Sequence, residues 1–457
     1  MDYLGALILA AGQGTRMKSN VPKVLHNLCG KPMIQHVLDN TTNITDNISL
    51  VIGYQGEKIK EYLSKTNYYN IEFVYQEKQL GTGDAVKIAQ DLLPDSGKVI
   101  VLCGDTPLIS AESLKGLFQR GDEHDAVILT AKVPDPFGYG RIIRDSDNRV
   151  TSITEAKNLT SNQIEINEIN TGTYCFDIEQ LKKYLPQLKA DSTKGEYYLT
   201  DVISLMVKEN HSVGTLLLDD YREGLGINDL SQLAEAAKVM RNKINYNLML
   251  EGVTIVDPDS TYIDKEVSIG NDTIIYPQTL IEGETEIGSD CQIGPNTTIK
   301  DTTIKDKVML KNSVVEECII REESKIGPFA YLRPGTDIGC GVKIGDFVEV
   351  KNSNIASGSK VPHLSYVGDA DIEEGVNFGA GTIVVNYDGV NKHRTLVAKN
   401  SFIGCNSNLI APIKIGEGSY IAAGSTINKD VTEGCVAFAR CRQENKPGLA
   451  KRFLKKE

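Results

Sequence analysis

IDKEVSIGNDTIIYPQTLIEGETEIGSDCQIGPNTTI, residues 263–299, places an isoleucine at every sixth position: 263, 269, 275, 281, 287, 293 and 299. A period of six fits neither the 3.6-residue turn of a helix nor the alternation of an ordinary strand. It fits a parallel β-helix, in which each repeat is a short strand plus a turn and one aliphatic side chain stacks above the next. Three hexapeptides would close one triangular coil. The same frame returns as Ile326, Leu332, Ile338, Ile344 and Val350, then as Ile372, Phe378 and Val384, and finally as Val397, Ile403, Leu409, Ile415, Ile421 and Ile427. Glycine often follows the aliphatic residue, as after 269, 287, 293, 326, 338, 344, 403 and 415, which suits a turn. The frame breaks around 302–325 and again at NYDGVNKHRTL, 386–396. Both breaks read as insertions, and insertions in solenoids become loops on one face, often the binding face. The second adjoins the densest group of polar and basic residues in this half. The repeat alone leaves open a solenoid that only builds an oligomer.

Upstream the pattern changes. Short apolar runs (LGALILAA at 4–11, NISLVIGY at 47–54, IEFVYQ at 71–76, KVIVLCGD at 98–105) alternate with longer amphipathic stretches. That alternation predicts an α/β domain, a doubly wound sheet flanked by helices. Between the two halves, LSQLAEAAKVMRNKINYNLMLEG carries Leu233, Ala237, Met240, Ile244 and Leu248 at helical spacing. A helix of that length reaches about 30 Å. It is either the closing helix of the first domain or an arm between domains, and its place between differently patterned halves favours the arm. The expected organisation is therefore a first domain over 1–229, a helical linker over 230–251 and the solenoid over 252–457.

Size and composition agree with that division. At about 150 residues per domain, 457 residues allow two or three. With 40% hydrophobic and 24% charged residues the chain reads as an ordinary soluble protein, and no segment has the apolar length of a membrane span. The opening MDYLGALILAAGQGTR lacks the charged leader and cleavage site of a signal peptide, so a cytoplasmic location is expected, with no membrane partner. A net charge of −12 argues against nucleic acid as a partner. The cysteines, at 29, 103, 175, 291, 318, 340, 405, 435 and 441, form no C-x-x-C spacing, which disfavours zinc or a redox pair and leaves reduced packing thiols.

The first strand runs into G-Q-G-T-R-M, followed by V-P-K at 21–23. Backbone N–H groups of a glycine loop can lie against phosphates. The third glycine of the dinucleotide fingerprint is missing, so a dehydrogenase is disfavoured. Arg16 and Lys23 add two cations suited to a triphosphate, though either alone would ordinarily be a solvated surface charge.

LAAGQGTRM at 9–17, the PK that follows and GKPMIQHV at 30–37 together resemble the signature of sugar-nucleotide pyrophosphorylases. QEKQLGTGDA (76–85), LCGDTPL (102–108), FGYGRI (137–142), ITEAK (153–157), EINTG (168–172) and GIND (226–229) follow in the order found in one family. In the second half YLRPGT (331–336), GDFVEVKNS (345–353), KVPHLSYVGDADI (360–372) and GAGTIVVNYDG (379–389) continue the match. Over nearly its whole length the chain resembles the bifunctional enzymes that acetylate glucosamine-1-phosphate and then join the product to uridylate. Their product, UDP-N-acetylglucosamine, is a precursor of peptidoglycan and lipopolysaccharide. The resemblance implies a Rossmann-like nucleotidyltransferase domain, a left-handed β-helix, and a homotrimer with sites between neighbours. The usual crossover rule would have predicted a right-handed coil.

By that resemblance Leu9, Ala10, Ala11, Gly12, Gln76, Gly81 and Thr82 hold the uridine and phosphates of UTP, with Lys23 on the phosphates. Gly140, Glu155 and Asn170 hold the sugar of N-acetylglucosamine-1-phosphate. Asp105 and Asn228 coordinate Mg2+. Phosphoryl-type transfer needs alignment and neutralised charge more than a general base, and magnesium takes few protein oxygens, so one carboxylate and one amide suffice. In the solenoid His363 is the implied general base, with Glu349 the candidate to orient it. Arg333, Lys351, Tyr366 and Asn377 match the glucosamine-1-phosphate positions. Ala380, Asn386, Tyr387, Cys405, Ala423 and Arg440 match those for acetyl-CoA, Arg440 lying in the basic tail ARCRQENKPGLAKRFLKK. Two residues depart from the family pattern: Cys405 stands where serine is usual, and Asp84 where histidine is common. Two other classes use the same two folds: a single-activity nucleotidyltransferase with a structural or regulatory β-helix, and a non-catalytic exchange-factor subunit. Retention of His363, Lys351 and Asn386-Tyr387 weighs against the first; Lys23, Asp105 and Asn228 weigh against the second.

Overall fold

The computed structural model describes residues 3–454 except 67, 69 and 192–194. The chain divides into two compact units, residues 1–240 and 241–457. In the first, the main sheet runs in the order Val213–Leu217, Ala126–Lys132, Glu168–Asp177, Lys98–Cys103, Leu4–Ala10, Ile48–Ile52, Ile71–Tyr75. Neighbours are parallel except around Glu168–Asp177, which is antiparallel to both strands beside it. The hairpin Arg141–Arg144 and Val150–Thr154 attaches to that same strand. The sheet is therefore mixed, where the apolar runs alone suggested a uniformly parallel one.

Side chains that alternate along a strand face opposite sides, and here both sides are covered. Leu7, Val99 and Val101 belong to one core together with Val86 and Ala89 of helix Thr82–Ala89 and Val202, Ile203 and Met206 of helix Thr200–Lys208. Ile8, Ile100 and Leu102 belong to the other, with Ile34, Val37 and Leu38 of helix Met33–Thr42 and Leu114 and Leu117 of helix Ala111–Arg120. Burial on both faces is why these strands read as unbroken apolar runs.

The predicted helix between the halves runs Leu230–Leu250. Its apolar stripe is shared out. Leu233, Ala236, Ala237 and Met240 pack with Met17, Leu28, Met33 and Ile227 of the first unit, whereas Ile244 and Leu248 join the core of the second.

That second core is the interior of a triangular solenoid with a left-handed coil. Three stacks of short parallel strands begin at Thr254–Ile255, Tyr262–Ile263 and Ser268–Ile269, each coil adding one strand to each stack. The inward side chains are Ile263, Ile281, Ile299 and their successors, all buried. Two residues before many of them stands a small hydroxyl residue, also buried, as Thr279 before Ile281, Ser353 before Ile355 and Ser359 before Val361; elsewhere the position holds a small apolar residue or cysteine, as Val308 before Leu310 and Cys318 before Ile320. The hydroxyl closes the corner's hydrogen bonds. Ser359 Oγ donates to the Glu373 carbonyl at 2.7 Å and accepts from the Val376 N–H at 3.1 Å. Without such a partner those backbone groups would be buried unsatisfied.

The expected insertion around 302–325 is not there. The solenoid continues through it as Ile304, Leu310, Val315 and Ile320, all fully buried, with some steps shortened from six residues to five. Ile355, Val361 and Val367 fill the interval after Val350 in the same way. The two step lengths differ in where the corner residue takes the left-handed conformation. Six-residue steps place it three after the inward residue, as at Asp272, Asp290 and Asn296; five-residue steps place it two after, at Asp301, Asn312, Glu317, Asn352 and Asp369. Aspartate and asparagine tolerate that conformation better than other side chains, which is why they recur there.

The second break is a true insertion, between strands Ile383–Val385 and Thr395–Val397. It is tied to itself: the Asp388 carboxylate accepts from the N–H groups of Val390 (2.8 Å) and Asn391 (2.7 Å) and from His393 Nε2 (2.7 Å). Among the described residues no helix is long and apolar enough to cross a membrane.

The hydroxyl ladder makes a prediction. Ser359→Ala removes the partner of two buried backbone groups and is expected to destabilise the solenoid by about 1–3 kcal/mol, read as a lower urea midpoint. Lys360→Ala, beside it but facing outward, is expected to stay within about 0.5 kcal/mol of the parent.

Candidate active sites

In the first unit the sheet's strands end on a cavity of about 320 Å3. Leu9, Ala10, Ala11, Gly12, Lys23, Gln76, Gly81, Thr82 and Asp105 all line it, as do Tyr54, Gln79, Glu196 and Tyr198, which the sequence did not single out. Gly81 has a φ of +103°, and a Cβ there would lie 2.5 Å from the Tyr197 carbonyl oxygen, so the position admits only glycine. That close approach straps residues 196–198 over the loop: Tyr197 N–H donates to the Leu80 carbonyl at 2.7 Å, and Gly83 N–H to the Tyr197 carbonyl at 2.8 Å.

Lys23 is pinned at one end of the cavity. Its Nζ forms an ion pair with the Asp105 carboxylate and donates to Asn228 Oδ1 at 3.1 Å. The Asp105 and Asn228 oxygens, far apart in sequence, thus converge on a single cation. One carboxylate and one amide oxygen around a cation is a donor set that suits a small, hard divalent ion whose remaining ligands come from phosphate and water. Arg16 is exposed and does not line the cavity.

Gly140, Glu155 and Asn170 gather elsewhere, where the hairpin meets strand Glu168–Asp177, outside the lining of that cavity. Asn170 N–H donates to the Gly140 carbonyl at 2.9 Å, and Asn170 Nδ2 to the Tyr174 hydroxyl at 2.7 Å. Burial pushes the Glu155 carboxyl above the usual range, against a 2.9 Å hydrogen bond from the Thr200 hydroxyl.

In the second unit His363 and Asp346 are register partners on adjacent strands, and His363 Nδ1 lies 2.7 Å from Asp346 Oδ1. The contact with His363 holds the Asp346 carboxyl below its ordinary range. A carboxylate can only accept, so Nδ1 carries the proton and Nε2 keeps its lone pair. Glu349, the expected orienting group, is not that partner. It is in register with Tyr366 on a different face of the prism, and its carboxylate accepts from the Arg333 guanidinium at 2.7 Å.

Arg333 and Lys351 stack on successive coils, beside Tyr366. Lys392, from the insertion, lies against Lys351 and holds its ammonium below the usual lysine value. Three cations so close together form a site for an anion. Lys392 was missed in the sequence; the signal was that the inserted stretch 386–396 itself carries basic residues. Asp369, one of the tight corner residues and 5% exposed, ties the group to Asn386. Its carboxylate accepts from Asn352 Nδ2 at 2.6 Å and from Asn386 Nδ2, which also lies 3.5 Å from the Tyr366 hydroxyl. Asn377 stands on the strand next to that of His363.

Ala380, Cys405 and Ala423 occupy the same corner on consecutive coils, each two residues beyond an inward side chain. Asn406 N–H donates to the Ala380 carbonyl at 2.7 Å and Gly424 N–H to the Cys405 carbonyl at 2.8 Å, fixing the column. Arg440 lies against Gly424, next to Ala423. Cys405 is exposed, as is Tyr387. No hydrogen bond among the described residues joins Asn386 or Tyr387 to that column.

Residues 5–239 match the nucleotidyl transferase family, and residues 266–301 and 394–429 match the bacterial transferase hexapeptide family, described as six repeats. Among curated proteins, the bifunctional protein GlmU of Clostridium kluyveri is 49% identical over 460 residues, covering 99% of this chain and 100% of its own. The protein of the same name from Clostridium botulinum is 48% identical with full coverage of both chains, and that from Clostridium perfringens 50% identical with 98% of each covered. Identity at that level, sustained through both units, shows that the chain belongs to the bifunctional GlmU family of UDP-N-acetylglucosamine-synthesising enzymes.

Proposed function

We propose that the two units carry out successive reactions: the solenoid transfers acetyl from acetyl-CoA to the amine of glucosamine-1-phosphate, and the first unit joins the product to the uridylyl group of UTP, releasing pyrophosphate. The single observation that carries it is the commitment of His363 Nδ1 to Asp346. In the neutral ring it leaves the Nε2 lone pair exposed on the solenoid's surface, an arrangement that a scaffold would not need.

In acetyl transfer the cations Arg333, Lys351 and Lys392 hold the sugar phosphate, while Tyr366 and Asn377 place the ring. His363 Nε2 takes the proton as the amine nitrogen attacks the thioester carbonyl carbon. The C–S bond breaks, and the imidazolium returns the proton to the departing thiolate of coenzyme A. Asp346 keeps the ring in the productive tautomer and steadies its charged form. The corner column Ala380, Cys405 and Ala423, with small side chains, lets the coenzyme lie close to the backbone; Asn386 and Tyr387 contact it from the insertion, and Arg440 serves its phosphates.

In uridylyl transfer a phosphate oxygen of N-acetylglucosamine-1-phosphate attacks the α-phosphorus of UTP, and the bond to pyrophosphate breaks. Leu9 to Gly12, Gln76, Gly81 and Thr82 seat the nucleotide, and Gly140, Glu155 and Asn170 seat the sugar. Lys23 neutralises charge on the leaving group. Asp105 and Asn228 are the ligands for Mg2+, which when bound supplies further neutralisation of the phosphates and aligns them.

The enzyme works in the cytoplasm as a homotrimer. Supporting the trimer, Phe329, Phe347 and Leu364 follow one another at the same corner of successive coils, exposed and in the left-handed conformation, a costly arrangement for bulky side chains unless a neighbour covers them.

Three outcomes follow from this assignment. With glucosamine-1-phosphate, acetyl-CoA, UTP and magnesium, thiol and pyrophosphate release are both expected. His363→Ala should lower thiol release about 10²–10⁴-fold and leave pyrophosphate release from N-acetylglucosamine-1-phosphate intact; Asp105→Ala should do the reverse. If the parent enzyme releases pyrophosphate but never thiol, the solenoid is only a scaffold. Asp346→Asn should lower kcat for acetyl transfer about a hundredfold or more through loss of the tautomer, whereas Glu349→Gln, which relaxes Arg333, should act mainly on KM for the sugar phosphate. Alkylation of exposed thiols should inhibit acetyl transfer and spare uridylyl transfer, and Cys405→Ser should abolish the sensitivity; unchanged acetyl transfer after alkylation would remove Cys405 from the coenzyme site.

A further inference from the structure

Gln76 lines the cavity yet is only 5% exposed, and its surroundings fix which end of its amide is bonded within the protein. Its backbone is set by the strand before it, the Gln76 N–H donating to the Ile52 carbonyl at 2.8 Å. Its side-chain Nε2 has two partners: Asp84 Oδ2 at 2.8 Å and the Gly81 carbonyl at 3.2 Å. A carboxylate and a carbonyl both accept and neither donates. Both amide hydrogens are therefore used within the protein, and the opposite orientation would set Oε1 against two acceptors. Among the described residues nothing donates to Gln76 Oε1, and the neighbouring Gly81 N–H donates to no protein group.

We propose that Asp84 is a positioning residue that sets the base specificity of this cavity, by holding the Gln76 amide so that Oε1 faces the base beside the Gly81 N–H. The pair forms an acceptor next to a donor. Uracil offers the matching edge, a donating N3–H next to an accepting carbonyl. Cytosine offers the reverse, an accepting N3 next to a donating amino group, and would leave like against like in a desolvated site. Asp84 does not touch the base itself. It acts through Gln76, and its charge makes the lock stronger than the Gly81 carbonyl alone provides. Without it the amide can turn over, and the cavity presents a donor as readily as an acceptor.

This inference rests on the uridylyl transfer reading, and one set of rate measurements separates the two. Pyrophosphate release is measured with N-acetylglucosamine-1-phosphate and either UTP or CTP, for the parent enzyme, Asp84→Ala and Asp84→Asn, with thiol release from the solenoid as a check that the chain is intact. Asp84→Ala is expected to lower the UTP-to-CTP ratio of kcat/KM about tenfold or more, chiefly through a higher KM for UTP. Asp84→Asn, whose side-chain oxygen still accepts from Gln76, should keep the ratio within about twofold of the parent. Should Asp84→Ala fail to fold, Asp84→Leu fills the same space without accepting and carries the same expectation. An unchanged ratio, or equal losses with both nucleotides, means that Asp84 only supports its helix and overturns the inference. A parent enzyme that releases no pyrophosphate from UTP overturns the uridylyl transfer reading, and this inference with it.

Discussion

Every corner of the solenoid has to turn the chain through the edge of a triangle while its backbone is shut away from water. That constraint governs the second unit. It is met by three residues in fixed relation: an aliphatic side chain pointing inward, a small buried residue two positions before it, often a serine or threonine whose hydroxyl satisfies the corner of the neighbouring coil, and, at many corners, a residue in the left-handed conformation two or three positions after it. Once those are fixed, the outward positions of every coil are fixed as well. Side chains at the same outward position then stack at the spacing of neighbouring strands, about 4.8 Å.

The acetyl transfer site is built from that stacking. Asp346 meets His363 because they are register partners one coil apart, although seventeen positions separate them in sequence. Arg333 and Lys351 become neighbours for the same reason. Lys392, Asn386 and Tyr387 come from outside the repeat, on the inserted loop, and Asp369 ties that loop down. This corner residue is therefore both structural and local to the site. Its left-handed backbone turns the chain, while its carboxylate sits within reach of Asn352 and Asn386 and is held below the usual range by their hydrogen bonds and the nearby lysines, against its own burial.

How much of this could be read from the sequence depended on which of the three signals was being followed. The inward residues at six-residue spacing were plain, and so was the fold class. The five-residue steps were not, because shortening a corner by one residue shifts the apparent frame without interrupting the core. Through 302–325 the small buried residue two before the inward one keeps its place in both step lengths, as Thr302, Val308, Ser313, Cys318 and Ser324, so following that position together with the aliphatic residue would have carried the frame. Glu349 as the partner of His363 came from the resemblance alone, without support from spacing; the register places it in the column of Tyr366 instead. In the first unit the loop residues were legible as motifs and the cavity gathers most of them; the resemblance set Asp105 and Asn228 together on magnesium, but nothing in the sequence showed their oxygens meeting around Lys23. The strand Glu168–Asp177, EINTGTYCFD, carries too many polar residues to stand among the apolar runs, so neither its place in the sheet nor its antiparallel direction was legible.

The two units reach precision by different means, and this decides how each tolerates change. In the first, side chains are placed by loops that leave the sheet, and the loops are held by close backbone approach: Gly81 against Tyr197, with the Gly83 N–H on the same carbonyl. Any side chain at Gly81 would push the strap away and open the cavity. In the second, placement is inherited from the coil, so an exchange at an outward position changes chemistry at one point and leaves its neighbours aligned. A fault at an inward or corner position instead displaces a whole column. The cavity of the first unit is thus most sensitive at Gly81, and the proposed acetyl transfer site at residues such as Ser353 and Asp369, which hold the corners beneath it. Ser353 donates to the Lys351 carbonyl and accepts from the Ala370 N–H, fixing the coil that carries Lys351 to the coil that follows.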